Sequence, residues 1–117
     1  MLSARDADLC RAWLARGPRL DTAGNLTVRS VKAFYDGALG SRGAMLLADY
    51  SDKPGHRGVS GAGAGFDHKL VTEMMKGGFQ VAIHAIGDAG NRGTLEFIES
   101  LIAQKPEIKN NRNRIEH

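Results

Sequence analysis

The sequence predicts an α/β fold with a parallel sheet, because stretches rich in β-branched residues alternate along the chain with amphipathic stretches. Three strand candidates and three helix candidates follow one another in this way. Alternation of this kind is typical of βαβ units, in which parallel strands are covered by helices. The length of 117 residues and the 42% share of hydrophobic residues are those of one ordinary globular domain.

The first half of the chain carries one helix candidate and one strand candidate. Ser3 and Asp6 form a capping-box pattern ahead of an amphipathic stretch that contains Cys10. A Gly-Pro pair at residues 17–18 ends this helix. Residues 26–35 are rich in β-branched and aromatic residues and lie between turn-forming residues, so they predict the first strand.

The second half of the chain repeats the alternation. Asp67 is the expected N-cap of the second helix, and two glycines at residues 77–78 end it. Residues 79–86 predict a buried strand, and Asp88 is the expected N-cap of the third helix. Residues 114–117 predict the start of a third strand. The side chains expected to face the core from the third helix are Leu95, Ile98 and Ile102.

Polar residues interrupt the predicted strands. Buried parallel strands are almost entirely apolar, yet Lys32 lies within the first strand and His84 within the second. A turn follows each of them at the carboxyl end of its strand, where α/β folds place their chemistry, and His117 lies at the end of the third strand. Each residue by itself also has a structural explanation. His84 could donate a hydrogen bond to a backbone carbonyl, and Lys32 could extend its ammonium group to solvent. His56 and His68 are expected on the surface.

A long glycine-rich connection, residues 37–65, separates the first strand from the second helix. Because it follows the carboxyl end of a strand, it predicts a lid or a substrate-pocket loop. The alternative is a disordered insertion. Asp36 and Asp88, in the turns after the first two strands, are expected to order the neighbouring loops.

Four motifs occur in order along the chain, at residues 31–44 (VKAFYDGALGSRGA), 50–52 (YSD), 83–88 (IHAIGD) and 114–117 (RIEH). Together they resemble amidohydrolase family 3, a branch of the metal-dependent amidohydrolase superfamily that includes N-substituted formamide deformylases. The resemblance runs from about Leu26 to the last residue. It implies a (β/α)8 TIM barrel with parallel strands and a metal site at their carboxyl ends, of which the chain would cover about helix three to strand six.

The resemblance also implies roles for single residues. Lys32 corresponds to the fourth-strand lysine that is carbamylated to bridge two metals, and His84 and His117 correspond to the histidine ligands of strands five and six. These three would be both metal ligands and catalytic residues. One or two divalent ions are implied, and zinc is the expected ion because imidazole nitrogen suits zinc.

The superfamily's His-x-His pair on strand one and its strand-eight aspartate have no counterpart in the sequence. We therefore expect residues 1–117 to be an internal fragment of a metal-dependent hydrolase barrel domain, with residues 37–65 as a loop at the active-site face. The parent enzyme is expected to hydrolyse amide or other non-peptide carbon–nitrogen bonds of small molecules through metal-activated water. The isolated chain is expected to have little or no activity.

Composition and charge exclude several other classes. The net charge is +3, but the positive residues are scattered, and the one basic cluster, residues 109–114, holds no aromatic residue to stack on a base. No nucleic-acid partner is therefore expected. No apolar stretch approaches the ~20 residues of a membrane span, so no membrane partner is expected either. The single Cys10 excludes an internal disulfide and a cysteine-based zinc site.

Two alternatives to the hydrolase interpretation remain. The chain could be a non-catalytic interaction or scaffold module, or a phosphate-binding domain that uses its glycine-rich loop. The second alternative is weak, because neither of the common glycine-rich phosphate motifs is present. The sequence indicates no oligomeric state. A cytoplasmic protein is the default expectation, and a signal peptide encoded upstream would change it.

Overall fold

The computed structural model describes residues 1–21 and 23–117, and its helices and strands alternate as the sequence predicts. In chain order they are β1 (Leu2–Ser3), α1 (Ala7–Arg16), β2 (Ser30–Phe34), α2 (His68–Lys76), β3 (Gln80–His84), α3 (Asp88–Gln104), a 3-10 helix (Pro106–Asn111) and β4 (Arg114–Glu116). None of the described helices is long and apolar enough to cross a membrane.

The strands form one parallel sheet in the order β1-β2-β3-β4. In its register Ser3 pairs with Lys32, Phe34 pairs with His84, and His84 pairs with Glu116. The predicted α/β class with parallel strands is therefore confirmed. The described strands form an open sheet, so the assignment to part of a (β/α)8 barrel stays a prediction.

Both of the longer predicted strands extend beyond the strands that the structure shows. The first strand begins at Ser30 and not at residue 26, because Val28 pairs with Arg19 in an isolated antiparallel bridge instead of joining the sheet. The second strand stops at His84, and the backbone N–H group of Ile86 donates to a side chain instead of to a neighbouring strand. Residues 114–116 form a strand as predicted.

The N-cap of the first helix is Asp6, and not Ser3 as the predicted capping box requires. The Asp6 carboxylate accepts a hydrogen bond from the Leu9 N–H group at 3.0 Å, whereas Ser3 belongs to β1. Burial raises the pKa of the Cys10 thiol, which donates to the Ser3 carbonyl at 3.3 Å. The prediction for the second helix is confirmed, because the Asp67 carboxylate accepts from the Leu70 N–H group at 3.0 Å.

The third helix differs from its prediction in two respects. Its N-cap is Gly87, and Asp88 is the first helical residue, whose carboxylate accepts from the Leu47 N–H group at 2.9 Å. Leu95 was expected in the core but is 59% exposed. The buried residues of this helix are Gly90, Thr94 and Leu101, while Ile98 and Ile102 pack at the edge of the core.

The close approach of Gly90 to Asp36 sets the orientation of this helix. A Cβ atom at Gly90 would lie 2.5 Å from the Asp36 Oδ2 atom, so the helix turns its glycine toward the sheet. Glycine is a poor helix former, and its presence in the first turn is explained by this contact. Leu95 follows the buried Thr94 and consequently points away from the sheet.

The two faces of the sheet have different surroundings. One face packs on the helices, and its core is formed mainly by Val31, Ala33, Val81 and Ile83 from the strands and by Leu70, Val71, Met74 and Met75 from α2. The other face carries Ser30, Lys32 and Phe34, which are only half-buried. The polar strand residues lie on this second face, because successive side chains of a strand alternate between faces.

Candidate functional site

The predicted site residue Lys32 reaches the end of β4. Its Nζ atom donates a hydrogen bond to Glu116 Oε2 at 2.6 Å and lies 3.2 Å from His117 Nε2. The Lys32 side chain is 14% exposed and that of Glu116 26%. Lys32 is therefore a partly buried cation that is paired with a carboxylate.

His84 lies beside this ion pair. Its ring centroid is 5.0 Å from that of His117 and 5.5 Å from that of Phe34. Its Nε2 atom is 3.5 Å from the Gly37 carbonyl oxygen and 3.6 Å from Asp36 Oδ1, both beyond a normal hydrogen-bond length. The structure thus brings Lys32, His84 and His117 together, while their roles as ligands stay a prediction.

The geometry of the chain end explains why Glu116 was missed by the sequence analysis. Glu116 pairs with His84 in the sheet register, so both side chains lie on the same face. In a regular strand the next residue, His117, would point to the opposite face. His117 has a positive φ of 72°, which takes it out of the strand and toward Lys32. Pairing with His84 would have placed Glu116 in the site, but this pairing depends on the register of β3 and β4, which the sequence does not specify.

The electrostatics of the site centre on Glu116. The hydrogen bond from Lys32 holds the pKa of the Glu116 carboxyl below its usual value of 4.5. Burial opposes this shift, and the Lys32 charge and Arg114, 2.8 Å from Oε1, add to it. Glu116 is consequently a carboxylate that bridges two cations.

Asp36 connects the strand ends to the loop above them. Its carboxylate is fully buried and accepts hydrogen bonds from three backbone N–H groups: Met45 at 2.9 Å, Ile86 at 3.0 Å and Gly87 at 2.8 Å. Gly90 packs directly against it. The expectation that Asp36 orders the neighbouring loops agrees with this geometry, because one side chain joins the glycine-rich loop to the turn after β3.

The glycine-rich loop, residues 37–65, is held by its own ion pairs and by α3. The Arg42 guanidinium donates to both oxygens of Asp52, with the shortest contact at 2.7 Å. The Leu47 N–H group donates to Asp88, as expected of a carboxylate that orders a loop. The Leu47 contact places the loop against the start of α3, and a lid function stays a prediction.

The two remaining histidines do not join the site. His68 is exposed, as expected, and packs on Phe66 with ring centroids 4.8 Å apart. His56 was expected on the surface but is half-buried, because its Nε2 atom lies 2.7 Å from the Arg42 carbonyl oxygen.

The donor set fits a divalent metal in part. Two neighbouring imidazoles supply nitrogen ligands of the kind that zinc and related ions use. The His84 ring suits this role, because within residues 1–21 and 23–117 its shortest hydrogen-bond contact is 3.5 Å. Lys32 in its ammonium form repels a metal ion. Across the same residues no group of three His, Cys, Asp or Glu side chains is arranged to hold a metal.

Segments of two known proteins are similar to this chain in sequence. Protein LONG AFTER FAR-RED 3 of Arabidopsis thaliana is 39% identical over 92 residues, which cover 79% of this chain and 16% of that protein. The protein named "Putative amidohydrolase YtcJ" of Bacillus subtilis (strain 168) is 39% identical over 70 residues, which cover 60% of this chain and 13% of that protein.

Two solved structures, of uncharacterized metal-dependent hydrolases from Pyrococcus horikoshii OT3 and Pyrococcus furiosus, match with a TM-score of 0.71 and 27% identity. The matches cover 93% and 97% of this chain but only 25% and 26% of those proteins. The chain therefore spans about a quarter or less of each of these four proteins.

The sequence also matches the family model described as "Amidohydrolase family" over residues 4–117. This match includes both strands that carry Lys32 and His84, and it reaches His117. The chain belongs to the amidohydrolase family.

Proposed function

We propose that the chain is part of a metal-dependent hydrolase that cleaves amide or other non-peptide carbon–nitrogen bonds of small molecules. The observation that carries this proposal is the meeting of Lys32, His84 and His117 at the carboxyl ends of parallel strands, with 3.2 Å between Lys32 Nζ and His117 Nε2. Catalytic residues of α/β enzymes occupy this edge of the sheet. Membership of the amidohydrolase family and the likeness to metal-dependent hydrolases support the same class of reaction.

In this proposal His84 and His117 hold a divalent ion through ring nitrogens, and zinc is the expected ion. Such an ion supplies Lewis-acid activation of the substrate carbonyl and of the attacking water. The rings lie 5.0 Å apart, and Phe34 packs beside His84. Strand β3 and the Phe34 ring thus restrict where the His84 imidazole can point, and the neighbouring His117 ring would supply the second nitrogen.

Lys32 becomes an anionic ligand when it is carbamylated. The neutral amine forms a bond to the carbon of carbon dioxide, and the ammonium loses two protons in total, so that its charge changes from +1 to −1. The salt bridge with Glu116 occupies Nζ and has to break before this bond can form. Glu116 must therefore leave Nζ, and Arg114, already 2.8 Å from its other oxygen, is the cation that retains it.

The activity is assigned to the whole protein and not to these 117 residues, for which we expect little or no turnover. Two imidazoles and one lysine are fewer ligands than two metals require. N-substituted formamides are the first substrates to test, because the motifs resemble deformylases of this family. Chelator-sensitive hydrolysis of such a formamide by the isolated chain would contradict this part of the proposal.

Metal analysis of the complete protein that contains this sequence tests the central assignment. We expect His84→Ala and Lys32→Ala each to lower the bound metal per protein, measured by plasma mass spectrometry after dialysis. His68→Ala is the matched control, because His68 is an exposed histidine away from the site. Unchanged metal content in both site variants would overturn the proposal.

A further inference from the structure

A cleft with a volume of about 500 Å³ opens beside the candidate site. Its walls are the turn after β1 and the glycine-rich loop, residues 37–65. Three of the lining side chains are cations, Arg5, Arg42 and Lys53, and only one, Asp36, is a carboxylate. The cleft therefore carries an excess of positive charge.

Two of the three cations have no carboxylate partner in the part of the chain that the structure describes. Arg42 is neutralised by its forked contact with Asp52. No carboxylate oxygen in residues 1–21 and 23–117 lies within the 4.0 Å limit of an ion pair from Arg5 or Lys53. Asp36 keeps its negative charge, but its buried oxygens are directed at three backbone N–H groups and form no ion pair with Arg5 or Lys53 among the described residues.

Arg5 is held in an orientation that suits the recognition of an anion. Its guanidinium carbon lies 4.3 Å from the centroid of the Phe34 ring. A guanidinium that stacks on an aromatic ring has its N–H groups directed outward in its own plane. These groups can then donate two hydrogen bonds to a carboxylate or phosphate. Lys53 adds a second, flexible positive charge to the same cleft.

The cleft borders the candidate metal centre. The Phe34 ring beneath Arg5 is also a neighbour of His84, at 5.5 Å between centroids. Gly37 lines the cleft, and its carbonyl oxygen is 3.5 Å from His84 Nε2. Gly37 and Gly43 pack so closely that a Cβ atom on either would lie 3.0 Å from the Cα atom of the other. This part of the cleft wall is therefore formed by backbone, which leaves room for a ligand.

We infer that this cleft binds an anionic group of carboxylate or phosphate type, with Arg5 and Lys53 as its binding residues. The anionic group belongs to the substrate, whose amide would then lie one aromatic ring away, beside His84. The assignment to a substrate rests on the proposed function, whereas the anion site itself does not. The substrate class is consequently a small amide that carries a negative charge at a short distance from the bond to be cleaved.

A nuclear magnetic resonance titration of the 117-residue chain tests the inference. Inorganic phosphate and acetate are added in separate experiments at constant ionic strength, and the anion that binds more tightly identifies the preferred group. We expect saturable shifts at the backbone amides of Arg5, Gly37 and Gly43, together with a shift of the His84 ring signals. The double variant Arg5→Gln/Lys53→Gln is expected to weaken binding at least tenfold.

The matched control removes the same two charges elsewhere. Arg29 and Arg112 line a second cleft at the amino ends of the strands, so Arg29→Gln/Arg112→Gln should change the affinity less than twofold. Equal weakening by both double variants would reduce the effect to general charge attraction and overturn the inference, as would the absence of saturable binding of either anion. Saturable binding without a shift at His84 would overturn the assignment to the substrate.

This outcome is separable from that of the proposed function. Anion binding is measured without metal and without turnover. A protein that binds anions in this cleft but loses no metal in the His84→Ala and Lys32→Ala variants keeps the anion site and refutes the metal assignment. The reverse result, in which both variants lose metal but the cleft binds no anion, refutes only the anion site.

Discussion

Replacing Asp36 with alanine removes one buried acceptor from three backbone N–H groups at once. Met45, Ile86 and Gly87 donate to this carboxylate at 2.8–3.0 Å. A buried donor left without a partner costs about 1–3 kcal/mol. Water can enter the space and satisfy part of this loss, so we place the expected destabilisation at about 4 kcal/mol, near the low end of the combined cost. A typical domain unfolds at about 5–15 kcal/mol, so this change alone brings the chain close to unfolding.

The free energy of unfolding is measured by urea denaturation, with circular dichroism and Trp13 fluorescence as probes. Asp36→Asn is the shape-matched variant. It keeps one acceptor oxygen but turns an amide group toward the N–H donors, so its destabilisation should also be large. Asp8→Ala is the surface control, because the Asp8 side chain is fully exposed and its change should stay within about 0.5 kcal/mol.

Hydrogen exchange at single amides separates the loss of the Asp36 hydrogen bonds from global destabilisation of the chain. Hydrogen exchange of the Met45 and Gly87 amides should accelerate more in Asp36→Asn than exchange of the Val81 amide in the middle of the sheet. Equal destabilisation by Asp36→Ala and Asp8→Ala would refute a structural role of the Asp36 hydrogen bonds. Met45 and Gly87 amides that keep their wild-type protection in Asp36→Asn would also contradict that role.

Two further predictions concern the turn after β3 and the ion pair. Gly87→Ala places a Cβ atom onto the Met45 carbonyl group, so it should lower the free energy of unfolding by about 1–3 kcal/mol. Gly40→Ala is the control, because no heavy atom of the described residues lies within 4 Å of its Cβ position, and it should leave the thermal unfolding temperature unchanged. Equal effects of the two variants would refute a steric clash at Gly87. The lowered pKa of Glu116 contributes stability that is present above the unfolded value of 4.5 and lost as the pH falls through the folded value. The difference in free energy of unfolding between the wild type and Glu116→Gln should thus be constant above about pH 5.5 and shrink in acid; a difference that grows on acidification would contradict the ion pair with Lys32.

Local signals predicted the elements that depend on neighbouring residues alone. The Asp67 cap and the two glycines at residues 77–78 identified α2, and the alternation of strands and helices identified a parallel sheet. Lys32 and His84 were found because a polar residue inside a buried strand is a conflict that local patterns reveal. Both lie on the sheet face away from the helix-packed core, beside the strand ends.

Other features failed because they depend on contacts between distant parts of the chain. The apolar spacing of α3 predicted that Leu95 faces the core, but Leu95 is exposed. The rotation of this helix about its axis is set by the close contact of Gly90 with Asp36. Likewise Asp88 has the composition of an N-cap, yet its carboxylate binds the Leu47 N–H group of the glycine-rich loop. A helical pattern contains no information on which loop will pack above it.

The sequence by itself determined the fold class, the order of the elements and the three residues expected at the strand ends, because alternation and polarity act over a few neighbouring residues. Only the tertiary structure decided that Glu116 pairs with Lys32 and that Arg5 stacks on Phe34 beside His84. Those contacts depend on the register of the sheet and on one positive φ at His117, which turns its ring back toward Lys32. Register and chain direction arise from packing between distant segments, and no local pattern of residues records them.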